Sequence, residues 1–312
     1  MSSINTNASA MTALQSLRQT NMAMNKIQTA ISTGFRVAGA KDNAAYWSIA
    51  TTMRSDNKAM STVKDALGLG AATIDIAYTA VESAIKVTDE IKKKLVAATE
   101  PGVDKTKVQA EITELQEQLV SIGQSSSFSG QNWLSVDSSV ADYNATKSVV
   151  SSFTRSGSTV SIGTTDIDIT SITLFDSNAA AEGILDETRT VTVGTFAATT
   201  GVVSTLDIST LTDAASDLAI LQAYVQMADD TIGDMTDGAT VLGAIASRVE
   251  LQQDFISNLM DAVERGIGQL VDADMNKASV ELQALQVQQQ LGIQALSIAN
   301  GNSQNILALF RN

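Results

Sequence analysis

The sequence predicts a mainly α-helical protein: a long helical coiled-coil bundle formed by both chain ends, with a small β-rich central insert. Three observations predict it. Apolar residues recur at spacings of three and four over long stretches at both ends, the period of helices that bury one stripe. Residues 140–210 turn to Ser, Thr, Val and Gly with short apolar–polar alternation, the period of strands. Pro101, the chain's one proline, stands in a Pro-Gly turn between two such helical stretches.

A first helix is expected over about 5–33, with Met11, Leu14, Leu17, Met24, Ile27 and Ile31 mostly on one stripe. It stops near Gly34, and the stretch 34–40 has two glycines and little periodicity. A second helix, about 43–99, carries the most regular seam: Leu67, Gly70, Ile74, Ala77, Val81, Ala84, Thr88, Ile91, Leu95 and Ala98. Small residues on alternate layers let another helix approach closely. A third helix, about 104–124, repeats the spacing through Val108, Ile112, Leu115, Leu119 and Ile122, with Asp104 as its N-cap. The short turn between the second and third implies an antiparallel hairpin.

Within the insert, Thr159–Ile162, Asp166–Ile169 and Arg189–Val193 alternate as strands. Helices return over about 215–272, with Leu242, Ile245, Val249, Ile256, Leu259, Val263, Ile267 and Leu270 in heptad-like spacing. The final helix, about 275–312, carries Val280, Val287, Leu291 and Ile298 at spacings of seven, four and seven, and ends with Phe310 near the terminus. The predicted plan is symmetric: 1–33 mirrors 275–312, and 43–124 mirrors 215–272.

Composition narrows the function classes. A formal net charge of −14 argues against a nucleic-acid ligand, which needs a basic stripe, and disfavours anionic membranes. The chain has no His and no Cys, so thiolate and imidazole metal sites, Ser-His-Asp triads and disulfides are all excluded. Neither a cofactor nor a metal is expected, and the chain is not expected to be an enzyme. The start lacks the basic and apolar regions of a secretory signal, and no apolar run nears the ~18 residues of a membrane span. Those rules point to a cytoplasmic protein or one exported by a signal-independent route.

Energetics add a constraint. An ordered helix loses roughly 1–2 kcal/mol of backbone entropy per residue, and each large apolar residue returns about 1.5–3 kcal/mol only when buried. One stripe on each terminal helix cannot be fully covered within one chain. The terminal helices are therefore expected to become ordered when many copies pack together.

Several segments resemble the bacterial flagellins. These are Ser3–Asn7, Ile31–Val37 followed by Ala40–Ala45, and Phe128-Ser129-Gly130-Gln131-Asn132-Trp133-Leu134. The C-terminus is similar over Asp272–Met275, Leu285-Gln286-Val287-Gln288-Gln289-Gln290-Leu291-Gly292-Ile293-Gln294-Ala295-Leu296 and Asn305–Arg311. The likeness covers about 1–139 and 212–312. Departures are Phe35 where Leu is common, Asn43 where Asp is common, and the bulky Tyr46-Trp47 pair where a small residue is usual.

The resemblance implies a structural subunit of the bacterial flagellar filament, of the short-insert type, self-polymerising into a hollow helical filament for motility. It implies an inner domain of 1–41 and 275–312, a filament-wall domain of 42–139 and 212–274, and an outer variable domain of 140–211. It implies as partners other flagellin subunits, in a homopolymer or mixed filament, the flagellar cap and junction proteins, the flagellar type III export apparatus, and an export chaperone at the C-terminal segment. The implied location is the secreted, extracellular filament.

Other readings compete. A hook–filament junction protein shares helical termini of this kind, but the C-terminal motifs are closer to flagellin. A protease insert with a His-Glu-x-x-His site is excluded by the missing histidine. Gln288–Gln290 reads as a channel-facing polar strip or a solvated face, and Lys92–Lys94 as a solvated face before an anion patch. Trp47 and Trp133 read as packing or contact residues. In receptor-activating flagellins a Gln-Arg-Val-Arg-Glu-Leu-Ala-Val segment engages the vertebrate flagellin receptor. The counterpart here is Asp89–Val96, where Lys92 matches, Glu90 replaces an Arg, Lys93 a Glu, and Lys94 a Leu.

Overall fold

A computed structural model describes residues 6–157, 159–178 and 183–309. Five α-helices carry it: α1 Ala8–Thr33, α2 Ala44–Ala98, α3 Lys105–Ser125, α4 Ala215–Val271 and α5 Met275–Leu309. The ends of these helices follow the local chemistry. Asn7 caps α1 by accepting the Ala10 N–H, Asn43 accepts the Tyr46 N–H at the start of α2, and Asp104 accepts the Thr106 and Lys107 N–H groups of α3. Gly34 stops α1 at φ 76°, the left-handed backbone that glycine adopts without a Cβ penalty.

The chain forms two compact units, residues 1–58 with 259–312, and residues 59–258. The divisions fall inside α2 and α4, at 58/59 and 258/259.

In the first unit α1 and α5 run antiparallel. Asn7 donates to the Ala299 carbonyl at one end, and the Gln289 amide donates to Asn21 nearer the middle. The α5 face with the lower exposure is Ala278, Leu282, Leu285, Gln289, Gly292, Leu296 and Ala299, an unbroken four-three spacing. A Cβ at Gly292 would lie 3.3 Å from the Leu17 Cδ1, so the two helices approach closely there. The joint between helices is tied by backbone. Arg36 and Val37 N–H both donate to the Val271 carbonyl, Ala273 N–H donates to Gly34, and the Arg36 guanidinium donates to the Gln269 and Leu270 carbonyls. Arg36 thereby serves carbonyls that the end of α4 leaves without intrahelical donors. Val37, Ala50, Ile267 and Val271 form a small core there, flanked by Met53, Val263 and Leu270.

In the second unit the α2 seam is buried without a gap from Met60 to Ala98, at alternating spacings of three and four. Ile112 and Leu119 of α3 and Met227, Met235, Leu242, Val249 and Ile256 of α4 are buried with it. Eight strands lie between α3 and α4, paired by twos among the described residues. β1 (Ser127–Phe128) and β2 (Gln131–Asn132) are joined by Ser129 and Gly130, both at positive φ, the two-residue hairpin turn that matches strand twist. β3 (Ser135–Val136) pairs in parallel with β6 (Phe175–Asp176). β4 (Thr146–Ser156) and β5 (Thr159–Asp168) make one long ribbon with a bulge at Val150/Ser152. β7 (Arg189–Val191) pairs with β8 (Thr199–Gly201). The sequence expectation of strands at 159–162 and 166–169 thus becomes one strand, and β1 to β3 were not anticipated.

The insert is fastened to α3 through side chains. Buried Gln116 donates to the Val203 and Leu206 carbonyls, and Gln109 both donates to Leu206 and accepts the Ile208 N–H. Gly183 packs backbone to backbone: an added Cβ would stand 2.6 Å from the Leu174 carbonyl oxygen and 2.8 Å from the Phe175 Cα. No side-chain rotation relieves that clash. Gly183→Ala is expected to destabilise the insert by about 2 kcal/mol. A chemical-denaturation midpoint equal to that of the parent would refute this.

Candidate functional site: helix faces without a partner

The most conspicuous surface feature is apolar. On α5, Val280, Val287, Leu291 and Ile298 are all exposed, Val280 at 68% and Ile298 at 67%. They lie on the side of the helix away from the face that meets α1. The sequence assigned these four to packing, and among the described residues they are left uncovered. Phe310, assigned with them, lies outside the described residues.

On α1 the assigned positions divide. Leu17, Met24, Ile27 and Ile31 are half-buried, while Met11 and Leu14 are exposed, together with Met22, which the sequence reading passed over. No residue of α1 is fully buried.

The helical-core assignments behave differently. Leu67, Ile74, Val81, Ile91 and Leu95 of α2, and Val249 and Ile256 of α4, are buried. Val263 is half-buried against the small core of the first unit. Leu259 is exposed. It continues the row of every fourth residue through Leu251 and Phe255, and such a row drifts around the helix out of the buried stripe.

Sequence reasoning missed the inner face of α5. Its residues are mostly small or polar, Ala278, Gln289, Gly292 and Ala299 among them. The signal was the four-three spacing itself, which was trusted in α2, where leucine and isoleucine alternate with alanine.

The lysine run is engaged within the chain. Lys92 pairs with Asp229, Lys93 with Asp89 and Glu90 at 2.8 Å each, and Lys94 with Glu111. Its hydrogen bonds to Asp89 and Glu90 raise the Lys93 pKa, and the bond to Lys93 lowers that of Asp89. The bond to Glu111 raises the Lys94 pKa.

Among the described residues no group of His, Cys, Asp or Glu could hold a metal ion, and no helix is long and apolar enough to cross a membrane. The perturbed carboxylates explain themselves structurally. The ammonium of buried Lys105 and the Gly102 N–H both donate to Asp213, clamping the Pro101-Gly102 turn to the chain just before α4. The Lys105 hydrogen bond, then that from Gly102, holds the Asp213 carboxyl below the usual aspartate value.

A lowered folded-state pKa contributes stability that is present above the unfolded value and lost as pH falls through the folded one. The thermal midpoint of the parent should therefore drop on acidification below about pH 4 more steeply than that of Asp213→Asn. The variant should also start lower at neutral pH. Parallel acid profiles for the two would contradict the clamp.

The helical N-terminal region of bacterial flagellin matches residues 4–138, and the helical C-terminal region matches 225–310. Flagellin C of Rhizobium meliloti (strain 1021) is 49% identical, aligned over 100% of both chains. Flagellin A of the same strain is 42% identical, and a flagellin of Brucella melitensis biotype 1 is 42% identical, each again over 100% of both chains.

Proposed function

Since the chain belongs to the bacterial flagellin family and is a structural subunit of the flagellar filament, we propose that its terminal helices complete their packing only against other copies of the chain. The observation that carries this is the exposed row Val280, Val287, Leu291 and Ile298 on α5, opposite the face turned to α1. Each large apolar side chain moved from water into a helix–helix contact contributes about 1.5–3 kcal/mol. Four on one helix amount to a strong drive to associate.

On this reading the inner domain is 1–41 with 275–312, the wall domain 42–139 with 212–274, and the variable outer domain 140–211. Met11, Leu14 and Met22 supply subunit contacts from α1. The subunit passes through the flagellar type III export apparatus, with a chaperone on the C-terminal segment, and is laid down beneath a cap protein on a base of junction proteins in the extracellular filament. Mixed filaments are compatible with the relatives: flagellins A, B, C and D of one Rhizobium meliloti strain all resemble this chain.

Deleting residues 275–312 tests the packing claim. The remaining chain should keep the helical signal and thermal transition of the 59–258 unit, whose seam is closed within itself. It should fail to elongate seeds. Filaments of normal length from the truncated protein would sink the proposal.

We also propose that monomers activate the vertebrate flagellin receptor poorly. Glu90 and Lys93 reverse the charges of the activating segment, Lys94 replaces its apolar anchor, and the ion pairs to Asp89, Glu90 and Glu111 hold the lysines in place. Like charges across an interface cost several kcal/mol, and a lost central anchor adds about 2 kcal/mol. Reporter-cell activation at concentrations matching a receptor-activating flagellin would overturn it.

A further inference from the structure

The charge of the chain is divided between its two units. Residues 1–58 with 259–312 carry nine basic and seven acidic residues, a formal +2, while 59–258 carries eleven basic and twenty-seven acidic, a formal −16. The first 41 residues contain Arg18, Lys26, Arg36 and Lys41 and no acidic residue at all. The outer face of α1 interleaves the two properties, with Met11, Arg18, Met22 and Lys26 on one strip of helix and Leu14 at its edge.

Helix α4 offers a complement. Leu251, Phe255 and Leu259 form an exposed every-fourth-residue ridge on α4, with Leu251 68% and Phe255 59% exposed. Glu250, Asp254 and Asp261 line one side of that ridge on the exposed part of the helix. None of Arg18, Lys26, Glu250, Asp254 and Asp261 has an ion-pair partner among the described residues. Other surfaces match less well. The outer row of α5 is apolar, but that helix carries only Lys277 and Glu281 as charges, so it offers the α1 cations little. The face of α3 with Glu111, Glu114 and Glu117 is acidic, but α3 presents no large exposed apolar side chain among the described residues.

We propose that the outer face of α1 in one subunit docks on the Leu251–Phe255–Leu259 ridge of α4 in a second copy, with Arg18 and Lys26 set against Glu250 and Asp254. The pairing rests on the filament reading and gives it a specific contact. Methionines suit the site, because an unbranched thioether chain adapts to a ridge of leucine and phenylalanine. The charges fix which face of α4 is chosen, since complementary charge selects partner and register more than it adds affinity.

A charge exchange in the full chain tests it. Four proteins are compared: parent, R18E/K26E, E250K/D254K, and the variant carrying all four changes. Each is grown on seeds salted out from its own monomers, with elongation read by light scattering and filament length by electron microscopy. The substituted positions are at the surface or half-exposed, so circular dichroism should show four equally folded monomers. Each two-site reversal is expected to slow elongation at least about tenfold, and the four-site exchange to recover most of the parent rate. A four-site variant no faster than the slower two-site variant overturns the pairing, as does a reversal on α4 that leaves growth unchanged. Parent monomers that do not elongate their own seeds would instead overturn the filament reading beneath it.

Discussion

A helix that buries one stripe against one neighbour leaves the rest of its circumference to something else. That constraint governs this chain, and its two units meet it differently. In the 59–258 unit the α2 seam is closed from Met60 to Ala98, with Leu67, Ile74, Ile91 and Leu95 removed from solvent entirely. In the terminal unit the seam is made of alanine, glycine, glutamine and a few larger residues, and α1 contributes no fully buried residue. Burial returns free energy in proportion to apolar area, while the entropy lost on ordering a helical residue is nearly the same everywhere. The terminal pair therefore gains much less per ordered residue from its internal seam. Four of its apolar groups, Val280, Val287, Leu291 and Ile298, face outward. The arrangement leaves apolar area on the terminal helices that their own pairing does not cover.

Polar satisfaction decides how the insert is held. Two-stranded pieces of two or three residues have no independent stability in water. They persist here because Gln109 and Gln116 of α3 fasten the 203–208 stretch, and because Arg189 pairs with both Glu187 and Asp234 of α4. The segment between α3 and α4 has a core of its own in Trp133, Leu134, Ile169, Ile172, Leu174 and Leu185. The matched family regions end at 138 and resume at 225, so most of this anchored portion is where relatives are free to differ.

The helices were legible because their period is carried by residue identity: Pro101-Gly102 ends one, Gly34 another, and Asp104 begins a third. The seam of α2 was legible for the same reason. The inner face of α5 was not, since alanine, glutamine and glycine carry no hydropathy signal, and only the regular spacing marks them. Leu259 fits the three-four spacing between Ile256 and Val263 yet lies at the exposed edge of that stripe, which spacing alone does not distinguish. In the insert, β3 and β6 pair in parallel across about forty residues, a register set by the packing around Leu134 and Leu174 rather than by local pattern. Glu90 and Lys93 could be placed by motif alignment, but their engagement in ion pairs depends on helical geometry.

The division of charge gives assembly a built-in order of forces. Soluble subunits are kept apart by the 59–258 unit, where the formal charge of −16 resides, because like-charged surfaces repel over a Debye length, about 10 Å at 0.1 M salt. The terminal unit, at +2, is nearly free of that repulsion and holds the uncovered rows of α1 and α5. Encounter through the terminal helices is thus the approach least opposed by charge, and it is also the approach that buries the most exposed apolar surface of those helices. An evenly charged chain would have carried the same repulsion onto the surfaces that must meet. With the acids concentrated in residues 59–258, the terminal unit carries its exposed apolar rows with little net charge of its own.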